Sequence, residues 1–226
     1  MNYLSAIAQR GFAICPNVLP PSRISDLIAA LDIAGAAAGI YGMRNLLQRI
    51  PAIHAVAHSP DVGGLAGAVL GTGAFPVRAI LFDKHPGANW GVGWHQDLTI
   101  AVKERIEVTG FGAWTTKDGV PHVQPPTSIL EQMLTLRLHL DAADTDNGAL
   151  VVIPGSHRQG RLPGGAAARE KAVLCAAAAG DALVFRPLLL HMSKKSSSPC
   201  HRRVIQIEYA SAPLPLPLSW YETDDA

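Results

Sequence analysis

Apolar residues recur at helical spacing in the first third of the chain. The stretch PPSRISDLIAALDIAGAAAG, residues 20–39, opens with proline and serine and then places apolar side chains three or four positions apart. These side chains are Ile24, Leu27, Ile28 and Leu31. A second helical pattern covers about residues 51–70 with a break near Pro60, and the stretch GFAICPNVL predicts a short strand that ends at Pro16. The pattern therefore predicts helical cover over about residues 1–72.

From FPVRAILFDK onward the chain consists of short β-rich runs separated by glycine, proline and asparagine. These runs are residues 75–84, 92–100, 133–141, 149–153, 182–193 and 202–211. Such regularly punctuated runs are typical of an antiparallel barrel or sandwich. We therefore expect a single domain over residues 1–226, mainly β with an α+β composition, in which a barrel at about 75–211 is followed by an extended surface tail at 212–226.

Two of the runs have one polar and one apolar face. In MLTLRLHLD, leucines alternate with polar residues, so the polar set faces the barrel interior if the leucines face the helical cover. The leucines are Leu134, Leu136, Leu138 and Leu140, and the polar residues are Thr135, Arg137, His139 and Asp141. The same alternation in RRVIQIEY places Arg202 inside with Gln206 and Glu208, and it predicts that Arg203 faces solvent.

Composition and charge narrow the class of partner. The 226 residues include 19 Lys+Arg and 18 Asp+Glu, which gives a formal net charge of +1. Neither sign forms a long run, so the sequence does not have the electrostatic pattern of a protein that binds nucleic acid or an anionic membrane. The expected partner is a small molecule, and the sequence indicates no particular oligomeric state.

Cysteine usage and the N-terminal stretch predict the compartment. Cys15, Cys175 and Cys200 are widely separated and odd in number, which argues against a disulfide framework and against a C-x-x-C zinc site. The stretch MNYLSAIAQRGFAI lacks the pattern of a secretory signal, and no stretch approaches the roughly 18 apolar residues of a membrane span. The expectation is a cytoplasmic protein.

The stretch GWHQDLTI sets His95 and Asp97 one residue apart in a β-prone run. Alternate side chains of an extended strand leave on the same face, so the imidazole and the carboxylate can bind one ion. An H-x-D triplet alone is common, and a metal site needs a third ligand. If residues 182–193 form one strand, His191 supplies that ligand, because His191 and Ser193 then point together into the barrel.

Two imidazoles and one carboxylate form the facial triad of non-haem Fe(II) oxygenases, which leaves adjacent positions free for a co-substrate and O₂. Arg202 follows His191 by eleven residues, at the start of the last run, where its guanidinium can bind a dicarboxylate through two hydrogen bonds. For His191 taken alone, a core histidine at a strand end is the alternative interpretation.

Several motifs, in order along the chain, resemble the iron- and 2-oxoglutarate-dependent dioxygenases of the phytanoyl-CoA dioxygenase family. They are RGFAI, WHQDLT, DNGALVVIPGSHRQG, GDALVFRP, and HMS followed by HRRVIQIEY. The resemblance extends over nearly the whole chain, and the ordered set is far more specific than H-x-D alone. It implies a double-stranded β-helix, or jelly roll, with helices packed on one sheet.

The resemblance also implies a role for each residue of the site. His95, Asp97 and His191 would ligate Fe(II), Arg202 would bind the distal carboxylate of 2-oxoglutarate, and Ser193 would add a hydroxyl to that carboxylate. The implied reaction uses O₂ and 2-oxoglutarate to hydroxylate an unactivated carbon of a small molecule, with release of succinate and CO₂. Asp97 favours hydroxylation, because relatives that halogenate have a small residue in place of this carboxylate.

Two alternatives from other classes remain open. One is a metal-dependent jelly-roll enzyme that does not use 2-oxoglutarate, and the other is a catalytically inactive barrel that binds a ligand. Arg202 and Ser193 argue against the first. The intact triad argues against the second, because an unused site does not need three convergent ligands.

Further candidates follow from interior positions and from a long connection. Arg137 and Lys84 are candidates for binding 2-oxoglutarate, and Arg137 with His139 for contacting an acidic substrate, with an internal ion pair as the alternative. The connection over residues 101–128 is too long for a hairpin and is rich in aromatic residues, glycine and proline. Its candidate substrate contacts are Trp114, His122 and Gln124, with a structural covering loop as the alternative. Ser156 and His157, which are adjacent, are interpreted as structural.

Overall fold

The protein is described from a computed structural model, which describes residues 2–35, 42–163, 171–197 and 200–223. The helices are α1 (Tyr3–Arg10), α2 (Pro21–Ile33), α3 (Leu46–Arg49), α4 (Pro51–Ala57), α5 (Gly63–Leu70) and α6 (Thr127–Glu131), with a 3₁₀ turn at Ser156–Gln159. The strands are β1 (Phe12–Cys15), β2 (Gly42–Met43), β3 (Phe75–Lys84), β4 (Val92–His95), β5 (Ile100–Ala101), β6 (Gly112–Lys117), β7 (Val120–Gln124), β8 (Met133–His139), β9 (Leu150–Val152), β10 (Val173–Cys175), β11 (Ala182–Phe185), β12 (His191–Ser193) and β13 (Arg202–Ala210).

The strands form two facing sheets and a smaller one. Within the described residues, the major sheet has six strands in the order β1-β11-β8-β13-β3-β2, and the minor sheet has four in the order β10-β9-β12-β4. A three-stranded sheet, β5-β7-β6, lies beside them. This arrangement confirms the predicted jelly roll.

The predicted alternation decides which face of the major sheet the helices cover. The leucines of β8 lie in one buried cluster with Leu27 of α2, Ile53 of α4 and the apolar residues of β13, among them Tyr209. The Tyr209 hydroxyl donates a hydrogen bond to the Ala57 carbonyl at 2.8 Å, which ties α4 to β13. The opposite face of the same sheet carries Arg137 and Arg202 into the interior, so both faces of the predicted pattern are confirmed.

Most of the predicted helices and strands are confirmed. The break near Pro60 separates α4 from α5, and the strand that precedes Pro16 is β1. The first predicted helix is α2, which ends at Ile33; the last four positions of the predicted range, 36–39, lie outside the described residues. The helix α1 was not predicted.

Two predicted strands are wrong in their extent. Residues 182–193 form two strands in different sheets, since β11 pairs with β8 in the major sheet and β12 pairs with β4 and β9 in the minor one. The connection between them stays apolar because Leu188 and Leu189 fill two different buried clusters. Because the run is apolar throughout, the sequence pattern does not show where the chain passes from one sheet to the other. Residues 92–100 are likewise interrupted, because β4 ends at His95 and β5 begins at Ile100.

The connection at 101–128 contains a β-hairpin. Strands β6 and β7 pair antiparallel, with Lys117 opposite Val120. Asp118 and Gly119, the two residues between them, have φ of 50° and 79°, which are the left-handed values that a tight two-residue hairpin turn requires. The dipeptide Asp-Gly between β-prone residues is the sequence signal for such a turn, and the prediction of a plain loop overlooked it.

The C-terminal segment is not the surface tail that was predicted. Leu214, Leu218 and Trp220 are buried in a cluster with residues of β5, β7 and α6. Glu222 is also buried, and its carboxylate accepts hydrogen bonds from the backbone N–H groups of Leu47 at 2.9 Å and Ala79 at 3.0 Å. Alternating proline and leucine suggested an extended segment on the surface, but Leu214 and Leu218 pack into this buried cluster. Leu216, 89% exposed, is the exception.

None of the helices in the described residues is both long enough and apolar enough to span a membrane.

Candidate active site

A cavity of about 530 Å³ opens between the major and minor sheets. The interior face of β3 lines it from Arg78 through Ile80 and Phe82 to Lys84, which are alternate residues of one strand. Among the described residues that line it, cationic side chains outnumber carboxylates six to one, and the carboxylate is that of Asp97. A cavity of this volume is typical of a small-molecule site.

Three metal-ligating side chains converge on one wall of the cavity. One nitrogen each of His95 and His191 and one oxygen of Asp97 all lie within 4.8 Å of one another. Asp97 Oδ1 is 3.9 Å from the Nε2 atom of each histidine, and the two imidazole centroids are 4.1 Å apart. His95 and His191 are direct partners in the pairing of β4 with β12. The group is compact enough for its members to ligate a single ion.

Backbone hydrogen bonds orient the two imidazoles of the triad. Nδ1 of His95 donates to the Gly93 carbonyl and Nδ1 of His191 to that of Leu189, each at 2.8 Å, so each Nε2 keeps its lone pair. Burial lowers the pKa of His191 to about 4, which keeps the ring neutral, as a metal ligand must be. Asp97 Oδ2 is buried and has no hydrogen-bond partner among the described residues.

Asp97 is held by a different structure from the one the sequence suggested. It follows β4 in irregular backbone, and its N–H donates to the Pro187 carbonyl at 2.9 Å. The intervening Gln96 is buried, and its amide donates to the carbonyls of Leu188 at 2.7 Å and Gly160 at 2.8 Å. Hydrogen bonds to the connection that leads into β12 therefore fix the segment of His95 and Asp97 beside His191. Alternation along one strand does not place these residues together.

A second group of side chains lies at one end of the cavity. Arg202 and Lys84 are direct partners in the pairing of β13 with β3. The Lys84 ammonium donates to Ser193 Oγ at 3.1 Å and to the Lys194 carbonyl. Arg137, on the neighbouring strand, has its guanidinium 5.2 Å from the centroid of the Phe82 ring. The predicted 2-oxoglutarate residues are thus brought together.

These cations are buried without a counter-ion. Lys84, Arg137 and Arg202 are each less than 10% exposed, and no ion pair among the described residues involves them. Nε of Arg137 and Nε of Arg202 have no hydrogen-bond acceptor. Burial and the two arginines lower the pKa of Lys84 to about 7, and burial lowers that of Arg202 to about 10. Uncompensated buried charge is costly, so this end of the cavity fits a dianion.

The sequence matches the family model of phytanoyl-CoA dioxygenase (PhyH) over residues 43–204, which is most of the chain and includes the whole triad. The chain belongs to the phytanoyl-CoA dioxygenase family. This confirms the resemblance and with it the enzyme class, a non-haem iron and 2-oxoglutarate-dependent dioxygenase. The two imidazoles and the carboxylate suit Fe(II), and the buried cations suit 2-oxoglutarate, so the residues present fit both.

Solved structures share the fold. AviO1 from Streptomyces viridochromogenes Tue57 is 24% identical, with a TM-score of 0.68 over 94% of this chain and 95% of that one. EctD from S. alaskensis, solved with 2-oxoglutarate and 5-hydroxyectoine, is 18% identical, with a TM-score of 0.70 over 92% of this chain and 74% of that one. EvdO2 from Micromonospora carbonacea var. aurantiaca, complexed with 2-oxoglutarate, is 20% identical, with a TM-score of 0.68 over 95% and 92%. No curated protein sequence matches the chain.

One of the four predicted substrate residues lines the cavity, and the other three do not. Gln124 lines the cavity of this family member, whereas Trp114, His122 and His139 do not. The Trp114 indole donates to Glu107 at 3.2 Å on the outside of the hairpin. His122 and His139 are buried outside the cavity, and burial lowers the pKa of each to about 4. For these three, a structural position is what the geometry supports.

Two expectations about charge are wrong. Arg203 does not project into solvent, because its guanidinium forms two hydrogen bonds with Asp141, at 2.8 and 2.9 Å. Asp141 was expected in the interior with the polar residues of β8, but β8 ends at His139 and the alternation ends with it. Ser156 does have the structural role expected of it, since its hydroxyl donates to Ile153 and accepts from the N–H of Leu190.

Sequence reasoning missed the cations at the far end of the cavity. Arg44, Arg78 and Lys117 all line it. Arg78 had a signal, because it shares a strand face with Lys84 in FPVRAILFDK. For Lys117 the signal was the Asp-Gly pair that follows it, which predicts a hairpin turn at this point. Arg44 lies in a short segment beside β2 that no periodicity marked.

Proposed function

We propose that His95, Asp97 and His191 hold Fe(II) and that Arg202 binds the distal carboxylate of 2-oxoglutarate, with Lys84, Ser193 and Arg137 completing that site. The enzyme then hydroxylates an unactivated carbon of a small-molecule substrate, and succinate and CO₂ are released. One observation carries the proposal: a three-ligand metal site and three buried cations without counter-ions share a single cavity.

The residues of the chain orient the bound metal and diacid and neutralise part of their charge. When bound, Fe(II) and 2-oxoglutarate activate O₂ and supply the oxidising power for hydroxylation of a C–H bond. Asp97 offsets part of the metal charge, and the backbone bonds at Nδ1 keep His95 and His191 oriented toward the ion. Arg202 and Lys84 fix the orientation of the diacid.

The three buried cations also bear on the alternatives. In a metal-dependent jelly-roll enzyme without 2-oxoglutarate, Lys84, Arg137 and Arg202 would stay buried without an anion, at a cost that no described ion pair offsets. An inactive binding barrel would need no unpaired carboxylate oxygen beside two imidazoles. The carboxylate of Asp97 itself occupies the ligand position that halogenating relatives leave open, which supports hydroxylation.

The test is anaerobic titration with Fe(II) and 2-oxoglutarate, followed by absorption spectroscopy. We expect the weak visible charge-transfer band of the metal chelate in the wild type and its loss in His191→Ala. The matched control is His58→Ala, because His58 is exposed and bonds only to the Ala-rich helix that carries it, at His54. A full-strength band in His191→Ala would refute the ligand assignment. Screening candidate substrates for succinate release then identifies the reaction.

A further inference from the structure

The far end of the cavity carries positive charge that 2-oxoglutarate does not reach. Arg78 lies six residues before Lys84 on the same face of β3, or about 20 Å away along the strand. A five-carbon diacid bound at Lys84 and Arg202 is too short to span that distance. The charges at Arg78, Arg44 and Lys117 therefore belong to a second part of the cavity.

These cations are only partly neutralised by the protein. Arg78 Nη2 is 2.9 Å from Glu208 Oε1, but Nε and Nη1 of Arg78 are buried without a partner among the described residues. Arg44 is 3.1 Å from Asp118, whose side chain is 68% exposed and so well screened by solvent. No ion pair among the described residues involves Lys117, whose ammonium makes a long hydrogen bond of 3.4 Å to the Thr99 hydroxyl.

The cations act on one another and on the metal site. Burial, Arg78 and Arg44 lower the pKa of Lys117, while Glu208 and Asp97 raise it. The carboxylate of the triad is thus close enough to Lys117 for its field to be felt there. Lys117 and the three residues of the triad line the same cavity.

The hairpin contributes one of the three cations, Lys117, and the counter-ion of a second, Arg44. Lys117 is the last residue of β6, and the Asp-Gly turn that follows it carries the Asp118 side chain to Arg44. Gln124, at the end of β7, adds an amide to the same wall. A neutral substrate would leave three cations facing two carboxylates, the buried Glu208 and the exposed Asp118, in a cavity whose lining includes one carboxylate among the described residues.

We propose that the substrate is a small molecule with an oxyanion group, a carboxylate or a phosphate, which binds to Lys117, Arg44 and Arg78 at the end of the cavity away from 2-oxoglutarate. The carbon to be oxidised lies between this anion and the triad. The proposal rests on the proposed function and adds the chemical class of its substrate.

The test uses matched probes and needs no turnover. Phenylacetate, phenyl phosphate and neutral phenylacetamide are titrated into protein loaded with Zn(II) and saturating 2-oxoglutarate, and binding is followed by ligand-observed NMR. We expect at least one of the anions to bind about tenfold more tightly than the amide, as charge-assisted hydrogen bonds predict. Which anion binds decides between a carboxylate and a phosphate.

Substitutions then locate the binding. Lys117→Gln and Arg44→Gln, each partly exposed, should weaken the anion about tenfold and leave the amide unchanged. The control is Arg105→Gln, an exposed arginine paired with Glu107 outside the cavity, which should change neither. Replacing Zn(II) with paramagnetic Mn(II) should broaden the probe resonances, because the bound probe lies near the metal.

Three results would overturn the proposal: equal affinity for the anions and the amide, equal effects of Lys117→Gln and Arg105→Gln, or displacement of the anion by further 2-oxoglutarate. The last would place the probe at Arg202. Failure of the proposed function is a separate result, namely absence of the Fe(II) and 2-oxoglutarate band in the wild type. Selectivity for anions can still be measured in that case, on the metal-free protein.

Discussion

Two neighbouring arginines have opposite environments because a strand turns successive side chains to opposite faces. Arg202 enters the cavity and forms no ion pair with a described residue, whereas Arg203 lies on the outer face and pairs with Asp141. Their chemistry is identical and their charge is the same. The counter-ion of Arg203 belongs to the protein, whereas in the proposed site that of Arg202 belongs to a ligand.

The pair gives a prediction that separates binding from stability. Arg202→Ala should weaken 2-oxoglutarate by about 30-fold to several thousand-fold, the effect of losing about 2–5 kcal/mol at a buried charge pair. Arg203→Ala should leave that affinity unchanged and lower the free energy of unfolding by about 1 kcal/mol through loss of the pair with Asp141. Calorimetric titration of 2-oxoglutarate and urea unfolding measure the two quantities. Equal small effects on affinity would remove the argument for a clamp at Arg202.

Lys84 gives a prediction about pH. Its pKa is about 7 in the free protein because of burial and the two nearby arginines, and a bound dianion raises that pKa again. The protein should therefore take up protons when 2-oxoglutarate binds, and affinity should fall as pH rises above about 7. Calorimetry at pH 8 in buffers of different ionisation enthalpy should show the uptake in the wild type.

The matched variants are Lys84→Met, which should lose the proton uptake, and Lys171→Met, an exposed lysine outside the site, which should keep it. Uptake that persists in Lys84→Met would assign the proton to another group.

Residue-level prediction from sequence succeeded where a strand is continuous. The alternation along β8 and β13 correctly sorted Arg137 and Arg202 into the interior. The same reasoning placed His95 and Asp97 on one strand, although β4 ends at His95. It also placed His191 on a strand that began at residue 182, although β11 and β12 lie in different sheets. Those side chains converge through tertiary hydrogen bonds, which no local periodicity records.

At the scale of elements, the hairpin β6–β7 shows what turn chemistry can reveal. Gly119 has φ of 79°, and a Cβ placed there would meet no atom within 4 Å. The requirement for glycine is thus one of backbone conformation alone. An Asp-Gly pair in TTKDGVPH predicts this turn, while the length of the whole connection predicts only a loop.

A pair of alanine substitutions tests this account. Gly119→Ala should lower the free energy of unfolding by about 1 kcal/mol, the cost of a left-handed residue with a side chain. Gly64→Ala, at an exposed helical position of α5 that is equally free of contacts, should raise it by up to about 1 kcal/mol. Urea unfolding of both variants provides the comparison. A stabilising Gly119→Ala would show that the turn is not left-handed in solution.

At the scale of the molecule, the C-terminal segment joins layers that are far apart in sequence. Glu222 binds the N–H of Leu47 in α3 and of Ala79 in β3, so one carboxylate ties the helical layer to the major sheet. The single domain expected from the sequence stays a prediction, and this bond is one of the contacts that would make its unfolding cooperative. Residue type gave no hint of the role, since an acidic residue near the end of a proline-rich segment usually lies in solvent.

Glu222 should give the stability a pH dependence of defined sign. Burial raises the pKa of its carboxyl to about 7, above its ordinary value of 4.5. The folded state therefore holds a proton that the unfolded state has lost between about pH 4.5 and 7, and this contribution to stability declines as pH rises through that window. Urea unfolding of the wild type and of Glu222→Gln across the window should show the decline in the wild type relative to the variant. Parallel curves would exclude Glu222 as its source.

The direct pairing of His95 with His191 also has a consequence for how the protein is made. Until β12 has been synthesised and has docked on β4, a nascent chain offers His95 and Asp97 without a second imidazole or the arginine clamp. In the proposed site, the three ligands and the arginine are therefore all present only after synthesis has passed both β12 and Arg202. A chain interrupted before that point would lack the complete site, so the proposed oxidation would be restricted to molecules in which both segments have docked.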